Sequence, residues 1–215
     1  REPISARLMS DLFKAAGADR LMSVDLHAAQ AQGFFDGPVD HLWAMPVLVD
    51  YVRTRVDLSN VAVVSPDAGR IRVAEKWSQK LGGAPLAFIH KTRDTTRPNV
   101  AVANRVVGDV VGRECVLVDD LIDTGGTIAE AVKVLLASGA KDVIVVATHG
   151  VLSDPATQRL SECGAREVVV TNTLPIVPSK RFDKLTILSI APLLARAIRE
   201  VFDDGSVTSL FDGVA

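Results

Sequence analysis

One run of residues constrains the fold of this chain most: an apolar segment that ends in two adjacent carboxylates and a glycine turn. Residues 115–118 are apolar and partly β-branched, and Asp119 and Asp120 follow directly. Residues 124–127 read Thr-Gly-Gly-Thr, and an apolar helical pattern begins at Ile128. The run therefore predicts a buried strand, a tight turn and the N-terminus of a helix.

This predicted turn is suited to a phosphate group. A helix N-terminus presents backbone N–H groups and the positive end of the helix dipole. Glycines allow the backbone to approach a ligand closely, and Thr124 and Thr127 add hydroxyl groups. Asp119 and Asp120 would repel a phosphate, but they suit sugar hydroxyls or a metal ion. A site that binds both a phosphate and a diol is a sugar-phosphate site; the alternative is an acidic turn that caps an ordinary crossover helix.

The rest of the chain alternates predicted strands with predicted helices. Such alternation is typical of a mostly parallel sheet covered by helices on both faces, where ligands bind beyond the carboxyl ends of the strands. The predicted strands are residues 21–26, 61–65, 86–89, 105–108, 114–118, 143–147, 168–171 and 186–189. The predicted helices are residues 4–16, 46–56, 71–81, 128–136, 157–162 and 192–202.

Composition narrows the classes of function. The formal net charge is −2, so no nucleic-acid-binding surface is indicated. We expect no membrane span, because the sequence contains no apolar run of the roughly 18 residues that one needs. The only cysteines are Cys115 and Cys163, which indicates no disulfide framework and favours a reducing cytoplasm.

Several segments carry a resemblance to a known family. Val24-Asp25-Leu26-His27 places a histidine at the end of a predicted strand, and a second strand leads into residues 65–70, Ser-Pro-Asp-Ala-Gly-Arg. A third leads into residues 90–93, His-Lys-Thr-Arg, and residues 206–211 form the C-terminal Ser-Val-Thr-Ser-Leu-Phe. The acidic turn resembles the phosphoribosyl-pyrophosphate motif of type I phosphoribosyltransferases. Together, these segments resemble the ribose-phosphate pyrophosphokinase family over essentially the whole chain.

The resemblance implies an activity and a fold. Members of the family transfer the diphosphoryl group of ATP to the 1-hydroxyl of ribose 5-phosphate, which forms 5-phosphoribosyl 1-pyrophosphate and AMP in nucleotide biosynthesis. The implied cofactor is Mg²⁺. The implied fold is α/β and type I phosphoribosyltransferase-like, with a mostly parallel sheet flanked by helices. Two similar domains are expected. Residues 1–42 would be the C-terminal part of an incomplete first domain, residues 43–197 the second domain with the ribose-5-phosphate site, and residues 198–215 a returning tail.

The family also implies roles for individual residues. The ribose-5-phosphate site is expected to contain Arg93, Asp119, Asp120, Asp123, Thr124, Gly125, Gly126 and Thr127. In this assignment the two adjacent carboxylates bind ribose hydroxyls and the Thr-Gly-Gly-Thr turn binds the 5-phosphate. Lys91 and Arg93 are expected to be catalytic, on a mobile loop that stabilises the diphosphoryl group; ordinary solvated loop cations are the alternative.

The resemblance implies three further sets of residues. A diphosphate loop would contain Asp67, Ala68, Gly69 and Arg70, and many family members have glycine where Arg70 stands. Magnesium would associate with His27 and Asp67, for which a structural hydrogen bond and a helix cap are the alternatives. A regulatory site for phosphate and ADP, between subunits of a homo-oligomer that is commonly a hexamer, would use Ser206, Val207, Thr208, Ser209 and Phe211.

Two other functions share part of this pattern. A phosphoribosyltransferase that consumes phosphoribosyl pyrophosphate would need the acidic turn, but not the His27 and Asp67 pair or the loop with Lys91 and Arg93. A non-catalytic regulatory paralogue would assemble with active subunits and would be favoured by the loss of those residues. All four are present.

Overall fold

The structure is a computed structural model that describes residues 4–91 and 104–211. The chain divides into two compact units: a larger unit, Val47–Ile190, and a smaller unit formed by the segments before and after it. The predicted phosphate turn and both adjacent carboxylates therefore belong to the larger unit.

Helices and strands alternate along the chain. In order, they are α1 Ser5–Ala15, β1 Leu21–Val24, β2 Val39–Leu42, α2 Met45–Arg53, β3 Val61–Ser65, α3 Ile71–Lys80, β4 Leu86–Lys91, β5 Asn104–Val107, β6 Glu114–Ile122, α4 Gly126–Ala137, β7 Asp142–Gly150, α5 Ala156–Glu162, β8 Glu167–Thr171, β9 Leu185–Leu188 and α6 Ala191–Phe202. Short 3-10 turns lie at Ala29–Phe34, Ala68–Arg70, Pro178–Lys180 and Val207–Phe211.

The larger unit is built on one sheet. Within the described residues its strand order is β5-β4-β3-β6-β7-β8-β9, and all neighbours are parallel except β4 and β5. All residues of β3 are buried, as are the first five of β6, because a parallel sheet is covered on both faces. The α/β fold class with a mostly parallel sheet, expected from the sequence, is confirmed.

Helix α4 covers one face of this sheet. Its buried residues include Ile128, Val132 and Leu135, whose spacing places them on one side of the helix. They belong to a single apolar cluster with Leu117 of β6 and Val145 of β7. The packing places the N-terminus of α4 beside the carboxyl end of β6.

The two central strands extend further than their sequences predict. Strand β6 continues through both carboxylates to Ile122, and β7 continues to Gly150. The two strands pair in parallel along this extension, with Leu121 opposite His149. Pairing with a neighbouring strand therefore overrides the low strand preference of aspartate.

In the smaller unit, β1 and β2 form a parallel pair with Leu21 opposite Val39. The prediction of a strand over residues 21–26 was too long, and β2 was not predicted. Strand β1 ends at Val24 because Asp25 has a left-handed φ of 43°, and its carboxylate accepts a hydrogen bond from the Ala44 N–H at 3.0 Å.

The helices of residues 4–91 and 104–211 include none that is both long and apolar enough for a membrane span.

Gly108 and Gly112, which follow the edge strand β5, differ in the space around them. A methyl group at Gly108 would lie 2.7 Å from both the Ala87 Cβ and the Leu86 carbonyl oxygen, whereas one at Gly112 would have no atom within 4 Å. Both glycines have positive φ. We expect Gly108→Ala to lower the free energy of unfolding by about 2–4 kcal/mol, and Gly112→Ala by only about 1 kcal/mol. Urea denaturation of the two variants measures the difference, and equal losses would contradict the steric argument.

Candidate sugar-phosphate site

The predicted phosphate turn joins the end of β6 to the start of α4 through a glycine bend. Gly125 has a φ of 69°, a left-handed conformation that favours glycine. A Cβ added there would lie 3.4 Å from the Cα of Ala156 and 3.3 Å from the Cγ of Leu160, both in α5. Glycine at position 125 therefore satisfies both the backbone conformation and the close packing of the turn on α5.

Backbone donors are concentrated where the turn enters α4. The Ala129 N–H donates to the Gly125 carbonyl at 2.9 Å, an i to i−4 bond at the start of the helix. The amides of residues 126–128 precede it, and the N-cap residue, Gly125, has no side chain that could accept from them. Thr127 is exposed at the same place. The N-terminus of α4 therefore has the donors and the dipole that bind an anion.

The two adjacent carboxylates lie in the last part of β6 and are largely buried. The side chains of Asp119 and Asp120 are 16% and 14% exposed. The Asp120 N–H donates to Oδ1 of Asp119 at 2.9 Å, which holds the first carboxylate against the strand. This arrangement supplies hydrogen-bond acceptors beside the helix N-terminus, as a phosphate-bearing diol requires.

Arg70 lies against this acidic pair. Its Nη2 is 2.7 Å from Oδ2 of Asp120, and its Nε is 3.9 Å from Oδ1 of Asp119. The sequence left open whether the Arg70 side chain reaches a phosphate or is exposed; the structure pairs it with the carboxylates. This contact is possible because Arg70 follows β3, the neighbour of β6 in the sheet.

Burial changes the acidity of Asp119. The pKa of Asp119 is raised to about 7, first by desolvation and then by its hydrogen bonding and charge repulsion with Asp120. The Asp120 N–H and the Arg70 guanidinium act in the opposite direction and lower this pKa. Asp119 therefore differs from an ordinary surface aspartate in the pH range where enzymes work.

The turn after β3 contributes a third carboxylate. Oδ1 of Asp67 accepts a hydrogen bond from the Gly69 N–H at 2.8 Å, so Asp67 caps the 3-10 turn, as one reading of the sequence proposed. The Ser65 hydroxyl donates to the Asp67 carbonyl at 2.6 Å. Within the described residues, Oδ2 of Asp67 makes no hydrogen bond, so the cap and a cation ligand are compatible roles.

The predicted catalytic cations fall at the limit of the described structure. Lys91 is the last residue of β4, the neighbour of β3, so its backbone lies at the same sheet edge as the turn after β3. Arg93 lies outside the described residues. The expectation of a mobile loop over residues 91–100 also falls almost entirely outside them.

The two expected metal-associated residues belong to different units. Asp67 is in the larger unit, whereas His27 is an exposed residue of the smaller unit. The segment before His27 is held by His41, whose Nε2 accepts from the Leu26 N–H at 2.9 Å. In residues 4–91 and 104–211, no three His, Cys, Asp or Glu side chains are grouped as a metal site.

The predicted regulatory residues form a compact 3-10 turn in the smaller unit. The hydroxyls of Ser206 and Thr208 are 2.7 Å apart, the Ser209 hydroxyl donates to the Ser206 carbonyl at 2.6 Å, and Phe211 is buried. A cavity of about 360 Å³ is lined by Ser206, Val207 and Thr208, together with Arg20, Asp40, Val201, Asp204 and Gly205.

One residue beside the phosphate turn was missed by the sequence reasoning. Nη1 of Arg159 donates to the Thr124 carbonyl at 3.1 Å. An arginine on a short helix carries no local signal of such a contact, because its partner is distant in the sequence. The sequence therefore could not distinguish Arg159 from any exposed arginine.

Together, these residues place two buried carboxylates and a helix N-terminus at the carboxyl edge of a mostly parallel α/β sheet. The profile of the phosphoribosyl synthetase-associated domain matches residues 85–212, more than half of the chain. The chain therefore belongs to the phosphoribosyl synthetase family, which confirms the resemblance to ribose-phosphate pyrophosphokinases.

Individual relatives are close in sequence. The chain is 75% identical to a ribose-phosphate pyrophosphokinase of Bifidobacterium longum over 99% of its residues, and 67% identical to one of Mycobacterium tuberculosis over 100%. It spans 63% and 66%, respectively, of the length of these relatives. The crystal structure of phosphoribosylpyrophosphate synthetase from Mycobacterium smegmatis matches 95% of the chain with a TM-score of 0.87 at 65% identity, and the match covers 66% of that chain.

The raised pKa of Asp119 predicts a pH effect on stability. Because the pKa is about 7 in the folded state and about 3.8 ordinarily, the folded protein binds more protons between these values. The free energy of unfolding therefore falls as pH rises from about 4 to about 7, by at most about 4 kcal/mol. We expect Asp119→Asn to stabilise the protein more at pH 8 than at pH 4.5. Urea denaturation at both pH values measures this, with the exposed Asp123→Asn as the control; an equal effect at both would contradict it.

The pairing of Arg70 with the acidic pair predicts that its charge stabilises the site. Without the guanidinium, Asp119 and Asp120 lose a nearby counter-charge. We expect Arg70→Gln to lower the free energy of unfolding at pH 8 by about 1–3 kcal/mol, with a smaller loss at pH 5. Arg72→Gln is the matched control, because Arg72 is exposed nearby on α3. Equal losses in the two variants would show that the acidic pair does not depend on Arg70.

Proposed function

We propose that the full-length protein transfers the diphosphoryl group of ATP to the 1-hydroxyl of ribose 5-phosphate, giving 5-phosphoribosyl 1-pyrophosphate and AMP. One observation carries this proposal: a helix N-terminus suited to phosphate adjoins two buried carboxylates suited to a diol. The relatives support it, because those from Bifidobacterium longum and Mycobacterium tuberculosis are named ribose-phosphate pyrophosphokinases.

Ribose 5-phosphate would bind across the end of β6. Its phosphate would accept hydrogen bonds from the turn of Thr124, Gly125, Gly126 and Thr127, which Asp123 precedes. Its 2- and 3-hydroxyls would donate to Asp119 and Asp120. Ionised carboxylates are the stronger acceptors, so the bound diol and Arg70 would both favour the charged form of Asp119.

The diphosphoryl group would lie between the turn after β3 and the end of β4. Transfer of such a group depends on positioning and charge stabilisation more than on covalent catalysis. The turn of Asp67, Ala68, Gly69 and Arg70 would bind the diphosphate, and Lys91 and Arg93 would stabilise the charge that develops during transfer. The position of Lys91, at the end of a strand next to β3, supports this assignment.

We propose Mg²⁺ as the cofactor, and the residues present fit it. Asp67 has a carboxylate oxygen without a hydrogen bond in the described part of the chain, and Mg²⁺ is held by one or two carboxylates with phosphate oxygens and water. His27 would associate through water, because imidazole is a softer ligand than Mg²⁺ prefers. When bound, Mg²⁺ would neutralise charge on the phosphate groups of ATP.

Regulation and assembly are also proposals. The cavity at Ser206 and Thr208 contains hydroxyls and the guanidinium of Arg20, a combination that suits phosphate or ADP. Arg20 is already paired with Asp40, at 2.7 Å, so an anionic effector would compete with that carboxylate. The family resemblance implies a homohexamer, and the lack of a disulfide framework favours the cytoplasm as its location. The larger unit, Val47–Ile190, would be the domain that carries the ribose-5-phosphate site.

The direct test is to supply the full-length protein with ATP, ribose 5-phosphate and Mg²⁺ and to follow both products by chromatography. Equal, Mg²⁺-dependent formation of AMP and phosphoribosyl pyrophosphate would support diphosphoryl transfer. Consumption of phosphoribosyl pyrophosphate with a nucleobase would instead indicate a phosphoribosyltransferase. Absence of both reactions would favour a regulatory paralogue.

The proposed role of Lys91 predicts a specific kinetic change. A cation that acts on developing charge contributes to the transition state more than to the binding of ribose 5-phosphate. We expect Lys91→Ala to lower kcat by roughly 10²–10³-fold while the KM for ribose 5-phosphate stays within about threefold. Steady-state kinetics measure both values, with the exposed α4 variant Lys133→Ala as the control. Comparable changes in kcat and KM would refute the transition-state role.

A further inference from the structure

Helix α5 forms the support beneath the phosphate turn. Ala156 and Leu160 are fully buried and contact the position of Gly125. One turn of this helix therefore packs directly against the bend that begins α4. The contact leaves no room for a larger residue at position 125 without movement of the loop or the helix.

Arg159 lies on the same helix and forms a hydrogen bond with the turn. Its Nη1 donates to the Thr124 carbonyl at 3.1 Å, and a Cβ added at Gly126 would lie 3.3 Å from the same nitrogen. The guanidinium therefore bonds to the residue before Gly125 and lies near the residue after it. Its remaining N–H groups make no hydrogen bond within the described residues.

The hydrogen bond to Thr124 sets the direction of the next amide. In a trans peptide the carbonyl oxygen and the following N–H point in opposite directions. Because the Thr124 carbonyl is directed towards Arg159, the Gly125 N–H points away from the arginine. That amide donates to no acceptor in residues 4–91 and 104–211. Arg159 therefore orients a backbone donor and keeps a carbonyl oxygen from facing an anion.

The positive charge of Arg159 also affects the turn. Asp119, Asp120 and the exposed Asp123 shortly precede the turn in the chain, and negative charge there opposes the binding of a phosphate. The guanidinium of Arg159, which donates to the Thr124 carbonyl, offsets part of this charge. The exposed α5 position therefore adds a cation where the turn itself has only amides and hydroxyls.

We infer that Arg159 is a positioning residue for a phosphate monoester: it orients the amide that follows Thr124 and supplies positive charge to the phosphate turn. This inference rests on the proposed binding of ribose 5-phosphate at that turn. It assigns α5 a role in substrate affinity, and it predicts that Arg159 affects the phosphate end of the sugar and not the transferred diphosphoryl group.

The test uses the full-length protein and the variants Arg159→Ala, Arg159→Lys, Gln158→Ala and Lys133→Ala. Calorimetry with ribose 5-phosphate gives the dissociation constant, and steady-state kinetics give kcat and the KM for each substrate. We expect Arg159→Ala to weaken ribose-5-phosphate binding and raise its KM by roughly tenfold, because a charge-assisted hydrogen bond is lost. The KM for ATP and kcat should change less than about twofold.

The other variants separate charge from position. Arg159→Lys keeps the charge but not the planar donor geometry, so we expect it to restore only part of the affinity. Gln158→Ala changes the adjacent exposed position of α5, and Lys133→Ala removes an exposed cation from α4; both should bind ribose 5-phosphate like the unaltered protein. Thermal unfolding of each variant identifies any general loss of stability.

The possible outcomes distinguish the inference from the proposed function. Weaker ribose-5-phosphate binding in Arg159→Ala alone supports the inference, even if no phosphoribosyl pyrophosphate forms and the proposed reaction fails. Formation of both products with an unchanged KM for ribose 5-phosphate in Arg159→Ala overturns the inference and leaves the function intact. Equal increases in the KM for ATP and for ribose 5-phosphate overturn it in favour of a general structural role. If the unaltered protein binds no ribose 5-phosphate, both are overturned.

Discussion

The site depends on one constraint: two adjacent carboxylates lie at the buried end of a central strand. Asp119 and Asp120 continue β6 beyond its apolar part, where they lose most of their solvent. Desolvation opposes the ionisation of Asp119, and so does the neighbouring charge of Asp120. Arg70 offsets part of this cost from the turn after β3. Because β3 is the parallel neighbour of β6, correct strand pairing brings the counter-charge to the acids.

The elements on either side of β6 serve different parts of the site. The turn after β3 contributes Arg70 to the carboxylates, and it also presents Oδ2 of Asp67, which makes no hydrogen bond in the described part of the chain. Helix α5, which follows β7, supports the phosphate turn through Ala156, Leu160 and Arg159. The carboxylates and the phosphate turn are adjacent in sequence, yet each is supported by a segment distant from it. Changes on one side can therefore alter the surroundings of the carboxylates separately from those of the glycine turn.

The strength of local patterns explains how much of the fold could be predicted. Strand β3 was predicted with the bounds that it has, Val61–Ser65, because it is a short apolar run of mainly β-branched residues. Helix α4 was predicted because its apolar residues recur at helical spacing. Strand β2 was missed, since two of its four residues are Asp40 and His41 and no alternation is visible. Its pairing with β1 is a tertiary contact that no short window of sequence contains.

The sequence by itself determined the chemistry available at the site. Two adjacent carboxylates, a Thr-Gly-Gly-Thr turn and the start of a helix lie within one short run. Local sequence patterns are sufficient to predict the structure of such a run. Only the tertiary structure decided which distant side chains join them. Arg70 reaches Asp120 across two neighbouring strands, and Arg159 reaches Thr124 from another helix. Propensity and periodicity describe a residue and its near neighbours, whereas these contacts arise from the order of strands in the sheet and the packing of α5. Burial, which raises the pKa of Asp119 to about 7, is likewise a property of the folded chain alone.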